Sequence, residues 1–416
     1  MNPGSETIDQ PASGEQPQQA TTRNHKIVIV GGGTAGISVA ARLCNAIGDP
    51  DIAIIEPSET HYYQPLWTLA GGGVVDKQKS ARAESGLIPS GATWIRDSVV
   101  KLDPEHNRVV TADGQTIGYD HLVVACGIEL NWEGVKGLAG AVGKNDVCSN
   151  YDWETVDYTW KTIQNFKGGT ALFTMPPPPI KCAGAPQKIM YLADDTFRKR
   201  GVRDGSNIVF AAGTPGIFSA PDYAKSLNKV VERKGIETRY QHVLIELRPE
   251  AREAVFEDRA NDNAEVVIKY DMLHVTPPQR APQVVRESPL ADEAGWLKVD
   301  KHTLQSPDYD NVFAIGDASS LPTSKTGAAI RKQAPVLVEN LLAKINGATG
   351  NASYDGYTAC PLVTGYGKLI MAEFDYDLKP TPSFPFDQTK ERWSMYQVKK
   401  HVLPPFYWRR MLKGKG

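Results

Sequence analysis

Residues 25–43, HKIVIVGGGTAGISVAARL, pass from a continuous apolar run through glycines into apolar positions at helical spacing. This pattern predicts a buried strand, a tight turn and a helix. DIAIIEP (51–57) and HLVVAC (121–126) predict further buried strands. Between them, residues 96–120 alternate apolar and polar positions, predicting antiparallel strands turned at Asp113-Gly114. A second group of strands is predicted at TALFT (170–174), SNIVFAAG (206–213), ETRYQHVLIEL (237–247), REAVFED (252–258) and EVVIKYDMLHVTP (265–277). Helices are expected among them near 186–199 and 222–234. DNVFAIGDASSLPTSKTGAAI (310–330) predicts one more apolar strand, ending at Gly316-Asp317 and followed by a helix.

The spacing Gly31-x-Gly33-x-x-Gly36 after a strand and before a helix is a dinucleotide fingerprint. Gly31 allows the turn, Gly33 lets the backbone approach a pyrophosphate, and Gly36 lets helix and strand pack closely. Glu56, at the end of the next strand, suits a ribose hydroxyl and repels a 2'-phosphate, which favours FAD or NAD over NADP. The antiparallel insertion and the late Gly316-Asp317 strand resemble flavoprotein reductases of the glutathione-reductase type. In that layout the aspartate binds the ribitol chain, so FAD is the expected cofactor. The expected fold is α/β, with two doubly wound, Rossmann-like domains and a C-terminal amphipathic, membrane-associating segment. The FAD domain would comprise residues 25–128 and 305–348, interrupted by a second domain at 129–304 and followed by a C-terminal region at 349–416.

The second domain has no working phosphate loop in its sequence. Its first strand runs into Pro176–Pro179, which supply no N–H donors, and Ala211-x-Gly213-x-x-Gly216 contains Pro215. A nicotinamide cofactor is therefore not expected there, and another reductant must reach the flavin.

Composition adds limits. Apolar residues make up 41% and charged residues 23% of the 416, ordinary for a globular chain. A net charge of -2 gives no reason to expect nucleic acid as a partner. No run is long enough to span a bilayer. Residues 1–24 read as a disordered tail with neither a secretory nor a transit signal, which implies the cytoplasmic side. Five cysteines stand at 44, 126, 148, 182 and 360, without the spacing of a metal site. Cys44 reads as core, and Cys126 replaces the threonine usual at its strand end. Cys182 precedes a helix, where the helix dipole and Lys181 or Lys188 favour a thiolate. Taken from their chemistry, Cys182 and Cys360 are either a redox pair beside a flavin or two unrelated buried thiols.

KCAGAPQKIMYL, MLHVTPP, GDASSLPTSKT, YDGYTACPLVTGY, AEFDY and FPFDQTKER resemble motifs of sulfide:quinone oxidoreductases, specifically the type II, mitochondrial-like branch. The resemblance runs from about residue 25 to about 412. It implies that Cys182 and Cys360 form the redox pair and carry persulfide intermediates. It implies FAD contacts at Thr34, Ala35, Glu56, Gln64, the backbone at Val99, Asp317, and Lys325, Thr326, Gly327 and Ala328. Lys188 is a candidate to lower a thiol pKa or steer hydrosulfide, with a solvated lysine as the alternative. Cys148 stands where other branches carry a third redox cysteine, and it reads more simply as incidental.

The last 27 residues carry eight Lys/Arg and one Glu in a chain of net charge -2. Aromatic residues interleave with these cations, the composition of a segment lying on anionic lipid. The expected partners are hydrogen sulfide, quinone, the lipid surface and a sulfur acceptor (a thiol such as glutathione, sulfite or sulfide). Self-association as a homo-oligomer is left open. The expected reaction opens a Cys182–Cys360 disulfide with hydrosulfide and passes electrons through the flavin to quinone. Rival readings are a type II NADH:quinone dehydrogenase, a soluble sulfide dehydrogenase reducing a cytochrome, and a non-catalytic flavin redox sensor.

Overall fold

The apolar run at Ile27–Val30 is buried on both faces and lies at the centre of a seven-stranded, mostly parallel sheet. It belongs to the strand Thr22–Val30 of a computed structural model that describes residues 22–416. Strand order is 92–95, 52–55, 22–30, 116–124, 108–111 and 99–103, with Val312–Ala314 also paired to 116–124. The nine-residue strand Thr116–Val124 serves both of its late neighbours. Its first part alternates in burial and pairs antiparallel with Arg108–Thr111, whereas Leu122 to Val124 are continuously buried and pair parallel with Val312–Ala314. Cover on one face gives alternation, and cover on both faces gives an apolar run. This strand shows both patterns in turn.

A second sheet of five parallel strands has the order 147–148, 272–274, 169–175, 206–212 and 237–240, with the helices Ala185–Lys199 and Pro221–Lys234 packed on it. Two stretches expected as single strands are broken. Gln241, at φ +58°, turns the chain from Glu237–Tyr240 into His242–Arg248, which belongs to a separate three-stranded antiparallel sheet. Residues 265–277 divide likewise into Ala264–Lys269 of that sheet and Met272–His274 of the parallel one. Apolar patterning continues through both breaks because it does not report which sheet receives the backbone hydrogen bonds. At the N-terminus, residues 22–24 are already strand, and the rest of the expected disordered tail lies outside the described residues.

The C-terminal region joins the two sheets. The hairpin Thr358–Gly365 and Lys368–Phe374 packs against the helix Ala185–Lys199, with the Tyr366 N–H donating to Asp195 Oδ2 at 2.8 Å. The final segment departs from the expected lipid-facing ribbon. Tyr396, Tyr407, Trp408, Met411 and Leu412 are buried in the same core as Ile37 and Leu43 of the first helix, Thr34–Ala46. Of the aromatics in this segment, Trp393 alone stays largely exposed, at 68%. Short helices, including a π-turn at Val398–Val402, place the remaining aromatic side chains inward or at cavity walls. Composition alone does not separate a membrane-facing aromatic from one docked on the protein's own core.

The tail is therefore expected to be part of the folding unit. Leu412→Ala should destabilise by about 2–5 kcal/mol in urea unfolding, and a chain ending at residue 389 should fail to yield a folded flavin-binding protein. A stable truncated chain would show that this packing is dispensable.

Candidate active site

The first strand and first helix present the phosphate loop. Gly31 has φ +102°, and a Cβ there would lie 2.7 Å from the Ala125 carbonyl oxygen. Gly33 precedes the helix and has no atom within 4 Å of the position a Cβ would take, so its backbone faces open space. Gly36 lies where the helix crosses the strand, and a side chain there would collide with Gly31. Glu56 reaches this loop, its two carboxylate oxygens accepting from the Gly32 N–H at 2.7 Å and the Ser58 N–H at 2.8 Å. Burial raises its pKa, partly offset by those two donors.

A cavity of about 680 Å³ extends from this loop to Cys182. Its wall includes Gly31, Gly33, Thr34, Ala35, Glu56, Gln64, Asp317, Lys325, Thr326, Gly327 and Ala328. Val99 is not on this wall; it is held in the strand Val99–Asp103, paired with Thr111. Gly316 is also set back, at φ +73°, letting the chain turn beneath Ala35 and Ile330.

The residues fit FAD by an independent structural sign. Glu84 is buried beside Glu56 and Gly32, and its Oε1 has no hydrogen-bond partner. An orphaned acceptor at a glycine loop suits a hydroxyl-bearing ligand. Glu84 was not flagged from the sequence. Its other oxygen lies 3.1 Å from His61 Nδ1, His61 Nε2 lies 2.5 Å from the Tyr407 hydroxyl, and that hydroxyl lies 2.7 Å from Thr34 Oγ1. The tail thus hydrogen-bonds to the first residue of the phosphate-loop helix. No local motif ties Tyr407 to Thr34, since they are 373 positions apart.

Cys182 and Cys360 come from different sheets and approach to 3.2 Å between sulfurs. This exceeds a disulfide bond of about 2.05 Å, so the pair is a dithiol here. Cys182 sits in the loop before the helix Ala185–Lys199 at φ +84°, a strained conformation for a non-glycine residue. Lys188, on the first turn of that helix, donates from Nζ to Cys182 Sγ at 3.2 Å. The hydrogen bond from Cys360 and the charge of Lys188 hold the Cys182 thiol well below its ordinary value, against the opposing effect of burial. The same hydrogen bond, together with burial, pushes Cys360 up. Burial works against the Lys188 ammonium, but the adjoining sulfurs more than offset it, and its pKa is raised.

Other lysines take up different positions from those expected. Lys181 points away from the sulfurs to Gln64 Oε1 at 2.8 Å, with burial lowering its pKa to about 8. Lys325 lies on the cavity wall but turns its Nζ to the Asp317 and Ser319 carbonyls at 2.6 and 3.0 Å, above the Trp296 ring. Lys399, absent from the sequence-derived set, enters the cavity from the π-turn; burial and then Lys188 lower its pKa to about 7. Cys148 is fully buried in the second-domain core, and its thiol is pushed up to about 12 by burial, unlike a relay thiol. Cys126 borders the cavity with a thiol also raised by burial to about 12.

In the second domain, prolines fill the place of a phosphate loop. A Cβ on Gly213 would lie 2.6 Å from Pro177 Cδ, so the first-strand loop sits directly on the second-strand turn.

Fold and site together define an oxidoreductase built on two dinucleotide-binding folds, with Cys182 on the wall of its cofactor cavity and Cys360 beside it. Residues 25–157 match the family model described as pyridine nucleotide-disulphide oxidoreductase. The mitochondrial sulfide:quinone oxidoreductase of Mus musculus is 47% identical over 95% of this chain and 88% of its own. That of Dictyostelium discoideum is 48% identical over 94% and 86%. The chain belongs to the sulfide:quinone oxidoreductase family. The solved sulfide:quinone oxidoreductase from Aquifex aeolicus shares the fold, with a TM-score of 0.79 at 20% identity over 94% of this chain and 92% of that one.

The charge arrangement makes a pH prediction. A depressed pKa keeps Cys182 a thiolate to lower pH than an ordinary thiol, so alkylation of the reduced enzyme by iodoacetamide should fall off at a lower pH than that of a free cysteine. Lys188→Met should move the midpoint upward, because the ammonium that favours the charged sulfur is gone. An unchanged midpoint would remove Lys188 from this role.

Proposed function

We propose that this chain oxidises sulfide to sulfane sulfur and delivers the electrons to membrane quinone, with FAD as its cofactor. The observation that carries the reading is the approach of Cys360 to within 3.2 Å of Cys182, which lines the cavity and carries Lys188 on its sulfur. Membership of the sulfide:quinone oxidoreductase family supports the choice of substrates.

In the oxidised state the two sulfurs form a disulfide. Hydrosulfide attacks the Cys360 sulfur, the S–S bond breaks, and Cys182 leaves as thiolate. This direction follows from Lys188, whose ammonium lies 3.2 Å from the Cys182 sulfur and stabilises the thiolate that leaves there. Cys360 is then a persulfide. Its outer sulfur passes to a nucleophile: a thiol such as glutathione, sulfite or a second sulfide. FAD, when bound, supplies the two-electron acceptor that links the cysteine pair to quinone. Loss of two electrons and one proton from the Cys360 thiol and Cys182 thiolate restores the disulfide. Lys188 and Lys399 make this end of the cavity positive and draw hydrosulfide toward it. Glu56, Asp317 and the helix start after Gly33 hold the cofactor.

Quinone would enter along the apolar wall formed by Val398, Val402, Leu403 and Phe406. No helix among the described residues is long and apolar enough to cross a membrane. The basic tail supports attachment at a bilayer surface, on the anionic cytoplasmic face.

Mixed anaerobically with sulfide, the protein's flavin absorbance should bleach. Cys182→Ser and Cys360→Ser should each abolish bleaching while keeping FAD, and the double variant should be no worse, because the sulfurs act as one unit. Cys44→Ser should retain activity. Near-normal turnover in either of the first two would remove the pair from the mechanism, and rapid bleaching by NADH would favour a type II NADH:quinone dehydrogenase. Separately, Glu56→Ala should weaken FAD binding by about 1.5–3 kcal/mol through loss of a charge-assisted hydrogen bond. Undiminished affinity would place the ribose elsewhere.

A further inference from the structure

The tail separates two cavities. One face of the segment from Val398 to Tyr407 lines the large cavity, through Val398, Lys399, Val402 and Phe406. The other presents Lys400, Pro404, Pro405, Trp408 and Arg409 to a second cavity of about 340 Å³, completed by Leu66, Val75, Lys79, Arg82 and Leu87. Four cations stand around this second space, and no carboxylate lines it. Among the described residues, none of Lys79, Arg82, Lys400 or Arg409 is in an ion pair. Arg82 instead lies over the Trp408 ring at 4.7 Å. Its floor is apolar: Leu66, Leu87 and Trp408 are buried, and Val75 and Pro404 partly so.

We propose that this second cavity seats the phosphate headgroup of an anionic phospholipid. Four unpaired cations above an apolar floor require an occupant with a negative head and a hydrocarbon body. A neutral quinone has no use for the charges, and a free anion has none for the floor. Val402, exposed at 53% between the two cavities, gives the direction of the bilayer. A lipid held here sets the apolar entrance of the large cavity against the acyl region, so quinone need not cross water. The site rests on the reading that the enzyme works at a membrane surface, and it supplies the contact that the buried tail aromatics do not.

The test uses the full-length FAD-loaded enzyme in co-sedimentation with vesicles of phosphatidylcholine alone and of phosphatidylcholine with phosphatidylglycerol. Wild type should prefer the anionic vesicles. Arg82→Gln with Arg409→Gln should lose about 25-fold in anionic-vesicle partitioning, from roughly fivefold per cation. FAD content and turnover with a water-soluble short-chain quinone should be unchanged. Lys79→Gln with Lys400→Gln should behave alike, which guards against a folding effect of the first pair. An undiminished preference in both pairs would overturn the site. So would full displacement from vesicles by millimolar inorganic phosphate at constant ionic strength, which would mark a free-anion site. Equal binding to both vesicle types would overturn the headgroup site and leave the membrane reading standing. Absence of binding to any vesicle would overturn both, while short-chain quinone turnover would still report the chemistry separately.

Discussion

A lysine ammonium buried beside a cysteine sulfur is the contact around which the site is arranged. Lys188 is 3% exposed, and a charge so placed needs a partner of opposite sign. The partner is the Cys182 sulfur, held by a strained loop and by the first turn of the helix Ala185–Lys199. The pairing makes Cys182 the acidic thiol and, through the shared hydrogen bond, leaves Cys360 the reluctant one. That difference leaves the two sulfurs in chemically unlike surroundings.

The proline run has a complementary role. It packs Pro177 on Gly213, joining the turns that follow the strands 169–175 and 206–212 of the second sheet. Beyond the prolines the chain passes into the Cys182 loop, which touches the FAD domain through a backbone bridge between Lys181 and Lys325. The proline run thereby leads directly into the loop that positions Cys182.

The tail ties these parts together. Tyr407 bonds to Thr34 and His61 at the phosphate loop, and Lys399 reaches the cavity near the cysteines. Its buried side chains belong to the same core as the first helix. The wall of the cofactor cavity at Thr34 and the charge near the sulfurs are consequently properties of one packed segment.

Much of this protein was legible from its residues alone. Gly31, Gly33, Gly36 and Glu56 act within one strand–turn–helix unit and the next strand, so their spacing encodes their geometry. Pro176–Pro179 exclude backbone donors wherever they are placed. The Cys182–Cys360 pairing came from resemblance, because nothing local relates residues 178 positions apart. Glu84, His61 and Lys399 carried no motif, and the tail aromatics had the composition of a lipid-facing segment. Their positions depend on which surfaces meet when the C-terminal region closes over both sheets. The sequence by itself determined the backbone's local shape and the chemistry on offer. Only tertiary packing decided which charges are buried together and which aromatic faces see water, since desolvation depends on neighbours brought from elsewhere in the chain.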